Sequence, residues 1–356
     1  MMPPANSASG KPQHFIQLDG LRAFAAFAVL VQHSISIPGF SIGAAGVRLF
    51  FVLSGFLITG ILLRERDSRK ATGPILQRFY VRRMLRIFPL FYLAILLAVV
   101  FQLPRIQEAL PWHLTYTTNF LVAQAASDEH GYPLGHFWSL AVEEQFYMFW
   151  PAVILFTPAR WLPSVFAAVI LSAPLTRLML LRGGYDGWPI HAVTTSCFDG
   201  LGMGALLALA FHLNLAQHSW WLNSKAAGGL AVVPIVALMT MYYALDVGYT
   251  VYIVLEYLAQ SLLFMWLVGR AANGFTGTAG AILSNPLATY LGQISYGLYV
   301  YQGLVPAVLL VYGITFPPEG TVMALLVLVA VTVSTSMLSW HVFEKPINGL
   351  KRNFTT

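Results

Sequence analysis

LDGLRAFAAFAVLVQHS, residues 18–34, opens the first long apolar segment of the chain and carries an arginine and a histidine, Arg22 and His33, inside it. A helix turns about 100° per residue, so the two side chains come within roughly 20° of one face, roughly 16 Å apart along the axis. Asp19 shares that face. Between them on it lie only Ala25, Ala26 and Val29, whereas Phe24, Phe27 and Val31 point elsewhere. Ionisable groups inside an apolar helix are costly and mark function. The expectation is a charge near the lipid boundary, a titratable ring near mid-membrane and a shallow groove between them that suits a long ligand.

The rest of the chain agrees with a membrane setting. Of 356 residues, 57% are hydrophobic and 10% charged, against about 25% charged in a soluble domain. Apolar runs long enough to cross about 30 Å of hydrocarbon lie near 20–37, 46–63, 87–103, 138–157, 162–181, 191–211, 226–244, 250–269, 286–311 and 321–341. The predicted fold is all-α and polytopic, with about ten transmembrane helices. All of the 20 Lys and Arg except Arg48, Arg105, Arg177 and Arg182 fall in the tails, the connections on one side or the adjoining span ends. This is the positive-inside pattern, and it predicts that both termini are cytoplasmic. The expected organisation is a disordered tail over 1–18, a transmembrane domain over 19–344 and a cytoplasmic tail over 345–356. Residues 1–18 have no apolar core of the kind a signal peptide needs.

Composition also excludes function classes. The single Cys197 rules out an internal disulfide and any CxxC motif. No metal site is expected. The net charge of +6 follows from membrane topology and not from nucleic-acid binding.

Four constellations carry candidate chemistry. In the first, His33 is a candidate general base near physiological pH, with Asp19 placed to orient or pair with Arg22. In the second, HFWSLAVEEQFYMFW over 136–150, Glu143 and Tyr147 are an i, i+4 pair beside Glu144. Two carboxylates at the mouth of a span must be paired or used. In the third, Arg78, Arg82 and Arg86 form a stripe with Arg83 beside it, and guanidinium forks suit phosphate. Topology and anionic-lipid contact account for that cluster equally well. In the fourth, GVRLFFVLSGFLITG over 46–60, Ser54 and Gly55 permit close backbone approach, most often for helix packing. The outer connection near 104–137 holds Trp112, Tyr116, Asn119, Asp128, His130 and His136. It fits either a sugar-like acceptor or an interfacial aromatic belt.

With these motifs in view, the chain resembles membrane-bound acyltransferase family 3, the bacterial integral-membrane O-acyltransferases. The matching elements, in order, are LDGLRA with His33, GVRLFFVLSGFL, RRMLRIFP, HFWSLAVEEQFY, FDGLGMGALLA, LGQISYGLY and FEKP. The resemblance implies O-acyl transfer, usually of acetyl, from acetyl-CoA in the cytoplasm to a hydroxyl of a carbohydrate or small molecule. It implies a bacterial inner-membrane location. It assigns His33, Glu143 and Asp19 to catalysis, and Arg22, Arg82, Arg83, Arg86 and Ser54 to the donor. Trp138, Glu144, Tyr147 and His136 fall to the acceptor. A direct attack with His33 as base and an acyl-histidine relay both fit. Two positions depart from the family pattern: Gln302 stands where many relatives have histidine, and Cys197 where a basic residue often partners the aspartate at 199. A transporter or flippase for a glycan or lipid-linked intermediate is the alternative from a different class.

Overall fold

A computed structural model describes residues 15–35, 41–68, 70–124, 132–216, 219–245, 248–318 and 320–354, apart from the side chains of His33, Asn223, Lys225 and Asn353. Among them every regular element is helical, as lipid demands of a chain that must satisfy its own backbone. The helices are α1 (Ile16–Ser34), α2 (Ile42–Asp67), α3 (Thr72–Val100), α4 (Ile106–Leu114), α5 (Thr118–Gln124), α6 (Trp138–Phe156), α7 (Leu162–Arg182) and α8 (Trp188–Ala192). They continue with α9 (Phe198–His212), α10 (Trp220–Asn223), α11 (Lys225–Met239), α12 (Tyr249–Asn273), α13 (Gly277–Leu283), α14 (Pro286–Gln293), α15 (Ser295–Val311), α16 (Val322–Ser339) and α17 (Lys345–Gly349).

Seven helices are long and apolar enough to cross a membrane, or eight if α14 and α15, bent by 64° at their junction, form one span. The chain is a multi-pass membrane protein. Two of the ten expected spans, α1 and α6, do not reach that standard. Each has 19 residues, which is length enough. Asp19 and Arg22 in one, and Glu143, Glu144 and Gln145 in the other, dilute their apolar character. The helices that carry the polar residues are therefore the least lipid-like.

Other boundaries also move. Residues 1–14 lie outside the described residues, and α1 begins at Ile16, ahead of the expected boundary at 19. The expected tail from 345 is helical: a π-turn over Trp340–Glu344 joins α16 to α17, and a 3-10 turn follows over Leu350–Phe354. Helix α1 ends at Ser34, with Ile35 extended. His33 thus stands in its last turn, at the end opposite Arg22, and not at mid-span.

Helices α1 and α2 run antiparallel, with Gly43 under Gln32 and Gly46 against Ala28 and Val29. The face expected on α1 is real: Ala25 and Ala26 are 1% and 2% exposed, while Phe24 and Phe27 are 50% and 45% exposed. Helices α2 and α9 meet backbone to backbone. Gly55 rests on the Leu201 carbonyl, and Gly204 on the backbone of Val52 and Phe56. Only small residues allow that approach, which explains the glycines of FDGLGMGALLA.

Candidate active site

Three adjoining cavities lie among α1, α2, α3, α6, α15 and the C-terminal turns. The inner one, about 90 Å³, is lined by Arg22 of α1, Ser54 of α2, Arg83 and Arg86 of α3, Glu143, Glu144 and Tyr147 of α6, and Tyr296 and Tyr299 of α15. A second, about 140 Å³, lies between α2, α3 and the C-terminal turn, with Arg78, Arg82, Arg83 and Arg86 on its wall. A third, about 370 Å³, includes Asp19, Arg22, Arg86, Trp340 and Glu344. Arg86 faces all three.

The inner cavity contains a hydrogen-bonded chain. Tyr147 Oη donates to Ser54 Oγ at 2.9 Å, and Ser54 Oγ donates to Glu143 Oε1. One helical turn separates Glu143 from Tyr147 on α6, so both reach the same serine across the α2 interface. The Arg83 guanidinium stands 4.9 Å over the Tyr147 ring. Arg22 Nη1 meets Asp19 Oδ1 at 3.0 Å, the pairing their spacing suggested. Glu144 lines the cavity too, and its Oε1 has no hydrogen-bond partner among the described residues. Opposite them, Ser139 Oγ donates to Tyr299 Oη, and Tyr299 donates to the His136 carbonyl at 2.7 Å.

Seven residues separate Ser54 from Val47, which lies at the other end of the inner cavity. The cavity therefore runs roughly 10 Å along α2. Because α1 is antiparallel, it runs from the Arg22 level toward the backbone of His33. The His33 ring is outside the described residues, as are Asp128 and His130.

The expected acceptor residues divide. Glu144 and Tyr147 line the inner cavity, whereas Trp138 and His136 line none of the three. Trp138 packs edge-on against Phe51 and Trp188 at 6.3 and 5.9 Å. His136 is 8% exposed, with Nε2 3.3 Å from the Val300 carbonyl.

A family model for the acyltransferase domain of family 3 matches residues 15–341. The chain belongs to acyltransferase family 3. It is 27% identical, over 95% of its length, to the peptidoglycan O-acetyltransferase OatA of Listeria monocytogenes, of which the match covers 56%. It is 29% identical, over 93% of its length, to the putative peptidoglycan O-acetyltransferase YrhL of Bacillus subtilis, covering 54% of that protein. A putative O-acetyltransferase of Staphylococcus aureus is 27% identical over 96% of the chain, 59% of that protein. The chain spans little more than half the length of these curated relatives. No solved structure matches it.

In this family 3 member, Asp199 does not lack a basic partner, although Cys197 fills the usual basic position. Asp199 bridges two arginines, Arg48 Nη1 at 3.3 Å and Arg177 Nη2 at 2.8 Å. All three are at most 1% exposed. Arg48 also stands 3.6 Å over the Tyr257 ring, and Arg177 donates to the Val254 and Ser196 carbonyls at 3.0 and 2.7 Å. Sequence reading placed both arginines among outer topology charges. Their position inside apolar runs was the available signal, since buried charges in a span must be paired.

The outer connection is built from α4 and α5, and two of its polar residues turn inward. Asn119 is fully buried, and its Nδ2 donates to the Ala192 carbonyl and Thr194 Oγ1 at 3.2 and 3.0 Å. Gln145 Nε2 donates to the Tyr116 carbonyl at 2.8 Å, while the Tyr116 ring stacks on Phe91 at 4.1 Å. These residues clamp α5 to α6 and are not free for a sugar. Gln302 is 2% exposed, and neither atom of its amide has a partner among the described residues. Among the described residues, no cluster of three or more His, Cys, Asp or Glu could hold a metal ion.

Proposed function

We propose that this chain is an O-acyltransferase of the bacterial inner membrane, with both termini cytoplasmic, that moves an acetyl group from acetyl-CoA to a hydroxyl of a cell-surface carbohydrate. Peptidoglycan is the first acceptor to try, because two of the relatives carry that substrate in their names. One observation carries the reading. Arginine-lined cavities share Arg86 with a smaller one walled by Ser54, Glu143 and Tyr147.

The chemistry follows from that arrangement. Guanidinium groups at the arginine-rich end hold the donor's phosphates. The acyl arm extends through the inner cavity past the Glu143–Ser54–Tyr147 chain toward the His33 end of α1. His33 takes the proton as the acceptor oxygen attacks the thioester carbon, and the thiolate leaves toward the cytoplasm. Glu143 gives the arm's polar groups a hydrogen-bond acceptor and balances positive charge in the cavity. Arg22 and Arg83 balance negative charge at the donor's end of the cavity, away from the reacting carbonyl. Only an acyl group crosses the middle of the bilayer.

The test is acetyl transfer in detergent. Purified protein given radiolabelled acetyl-CoA and peptidoglycan glycan strands yields labelled glycan, whereas a transporter or flippase yields none. No label with any carbohydrate acceptor refutes the reading.

A further inference from the structure

The second cavity holds more positive charge than its own carboxylate can balance. Its wall carries Arg78, Arg82, Arg83, Arg86 and Lys351, with Glu65 the single carboxylate among the lining residues. Glu65 meets Arg78 at 4.0 Å. No ion pair is made by Arg82, Arg83, Arg86 or Lys351 among the described residues. Arg82 Nε is buried with no hydrogen-bond acceptor among the described residues. Among the described residues, Lys351 Nζ donates to Asn348 Oδ1, on its own segment, and it shares the cavity wall with Arg82, Arg83 and Arg86.

Lys351 lies on the 3-10 turn that follows α17, so it approaches α3 from a different part of the chain. Basic side chains that face one another across a cavity with a single lining carboxylate favour an anion between them. Lys351 also lines the third cavity, and Arg83 and Arg86 continue into the inner one. An anion seated here therefore lies beside the cavity that Ser54 and Glu143 line. A donor carrying phosphates on a long arm uses that adjacency, and a lipid headgroup has no need of it.

We propose that Lys351 is a donor-binding residue: with Arg82, Arg83 and Arg86 it completes a two-sided site for the donor's phosphate groups. The assignment rests on the acyl-CoA reading above. Lys351 contacts the phosphates and not the reacting carbonyl, so it sets donor affinity and leaves turnover alone.

The experiment uses the full chain in phosphatidylcholine nanodiscs with a carbohydrate acceptor. Lys351→Ala raises the KM for acetyl-CoA about tenfold and leaves kcat within about twofold. Lys351→Arg restores a KM near wild type. Acetyl-pantetheine, which has no phosphate, is used equally by all three proteins. An unchanged KM in Lys351→Ala overturns the assignment, as does an equal loss with acetyl-pantetheine, which marks a purely structural role. Transfer that requires added phosphatidylglycerol in wild type but not in Lys351→Ala gives the site to lipid and overturns it too. If wild type itself transfers nothing from acetyl-CoA, the donor reading falls and the assignment with it. If wild type transfers and Lys351→Ala matches it, only the assignment falls.

Discussion

Asp199→Asn removes one negative charge from the most enclosed ionic group in the bundle and leaves the side-chain shape intact. The carboxylate lies 3.3 Å from Arg48 and 2.8 Å from Arg177. At an effective dielectric of about 20, the two contacts are worth about 5 and about 6 kcal/mol in Coulomb energy before desolvation is counted. The substitution does not lose all of it. Arg177 keeps two backbone carbonyls and Arg48 keeps the Tyr257 ring, and the new amide oxygen still accepts a hydrogen bond. Breaking a buried pair by removing one partner costs about 3–5 kcal/mol, and these retained contacts place Asp199→Asn near 3. The lone cysteine supplies the assay. Cys197 is fully buried, so a thiol-reactive fluorescent dye reports unfolding in detergent. The expected result is a clearly lower unfolding temperature, partly recovered in Asp199→Asn with Arg48→Met, which removes one of the uncompensated cations. An unfolding temperature equal to wild type refutes the reasoning.

Further expectations concern the cavity wall, the helix interface and the outer segment. Glu143→Gln lowers kcat/KM for acetyl-CoA about a hundredfold, and Ser54→Ala about tenfold, with unfolding temperatures near wild type; steady-state kinetics on labelled acetyl-CoA read both. Gly204→Val drives a side chain into the Val52 carbonyl, which backbone cannot yield to, so it costs about 3 kcal/mol or more; the same dye assay reads the loss. Burial holds the His113 imidazole at about 4 against its ordinary 6.5, so the folded chain binds this proton later than the unfolded one. Its stabilising share is complete above about pH 6.5 and is lost by about 3 kcal/mol as pH falls to about 4. His113→Asn flattens that part of the unfolding-temperature profile against pH.

Much of this arrangement was legible because apolar helices restrict where a polar residue can sit. The spacing of Asp19 and Arg22 gave their ion pair, the i, i+4 pattern gave Glu143 and Tyr147 on one wall, and the phenylalanines of α1 pointed outward as the helical wheel required. What escaped was whatever depends on partners distant in sequence. Nothing near residue 199 announces Arg48 and Arg177, because the bridge forms only after α2, α7 and α9 converge. The small-residue pattern read Ser54 as a packing residue, and the family resemblance read it as a donor residue. It became a link to Glu143 only once α6 was laid across α2, while its neighbour Gly55 took the packing role. The polar, aromatic character of the outer connection fitted a sugar site or an interfacial belt equally, but composition does not give direction, and Asn119 and Tyr116 turned inward. His33 stands at the end of α1, where Ile35 is extended, and Pro38 with Gly39 was the stop signal available in the sequence.

The central claim is that the arginine-lined cavities receive the donor's phosphates and that the acyl arm passes Ser54 and Glu143 toward His33. A cryo-electron microscopy structure with bound coenzyme A tests it most directly. The account predicts phosphate density within hydrogen-bond reach of Arg83 and Arg86 and a pantetheine chain running through the cavity between Ser54 and Tyr299. Coenzyme A density elsewhere on the protein, with that cavity unfilled, contradicts it.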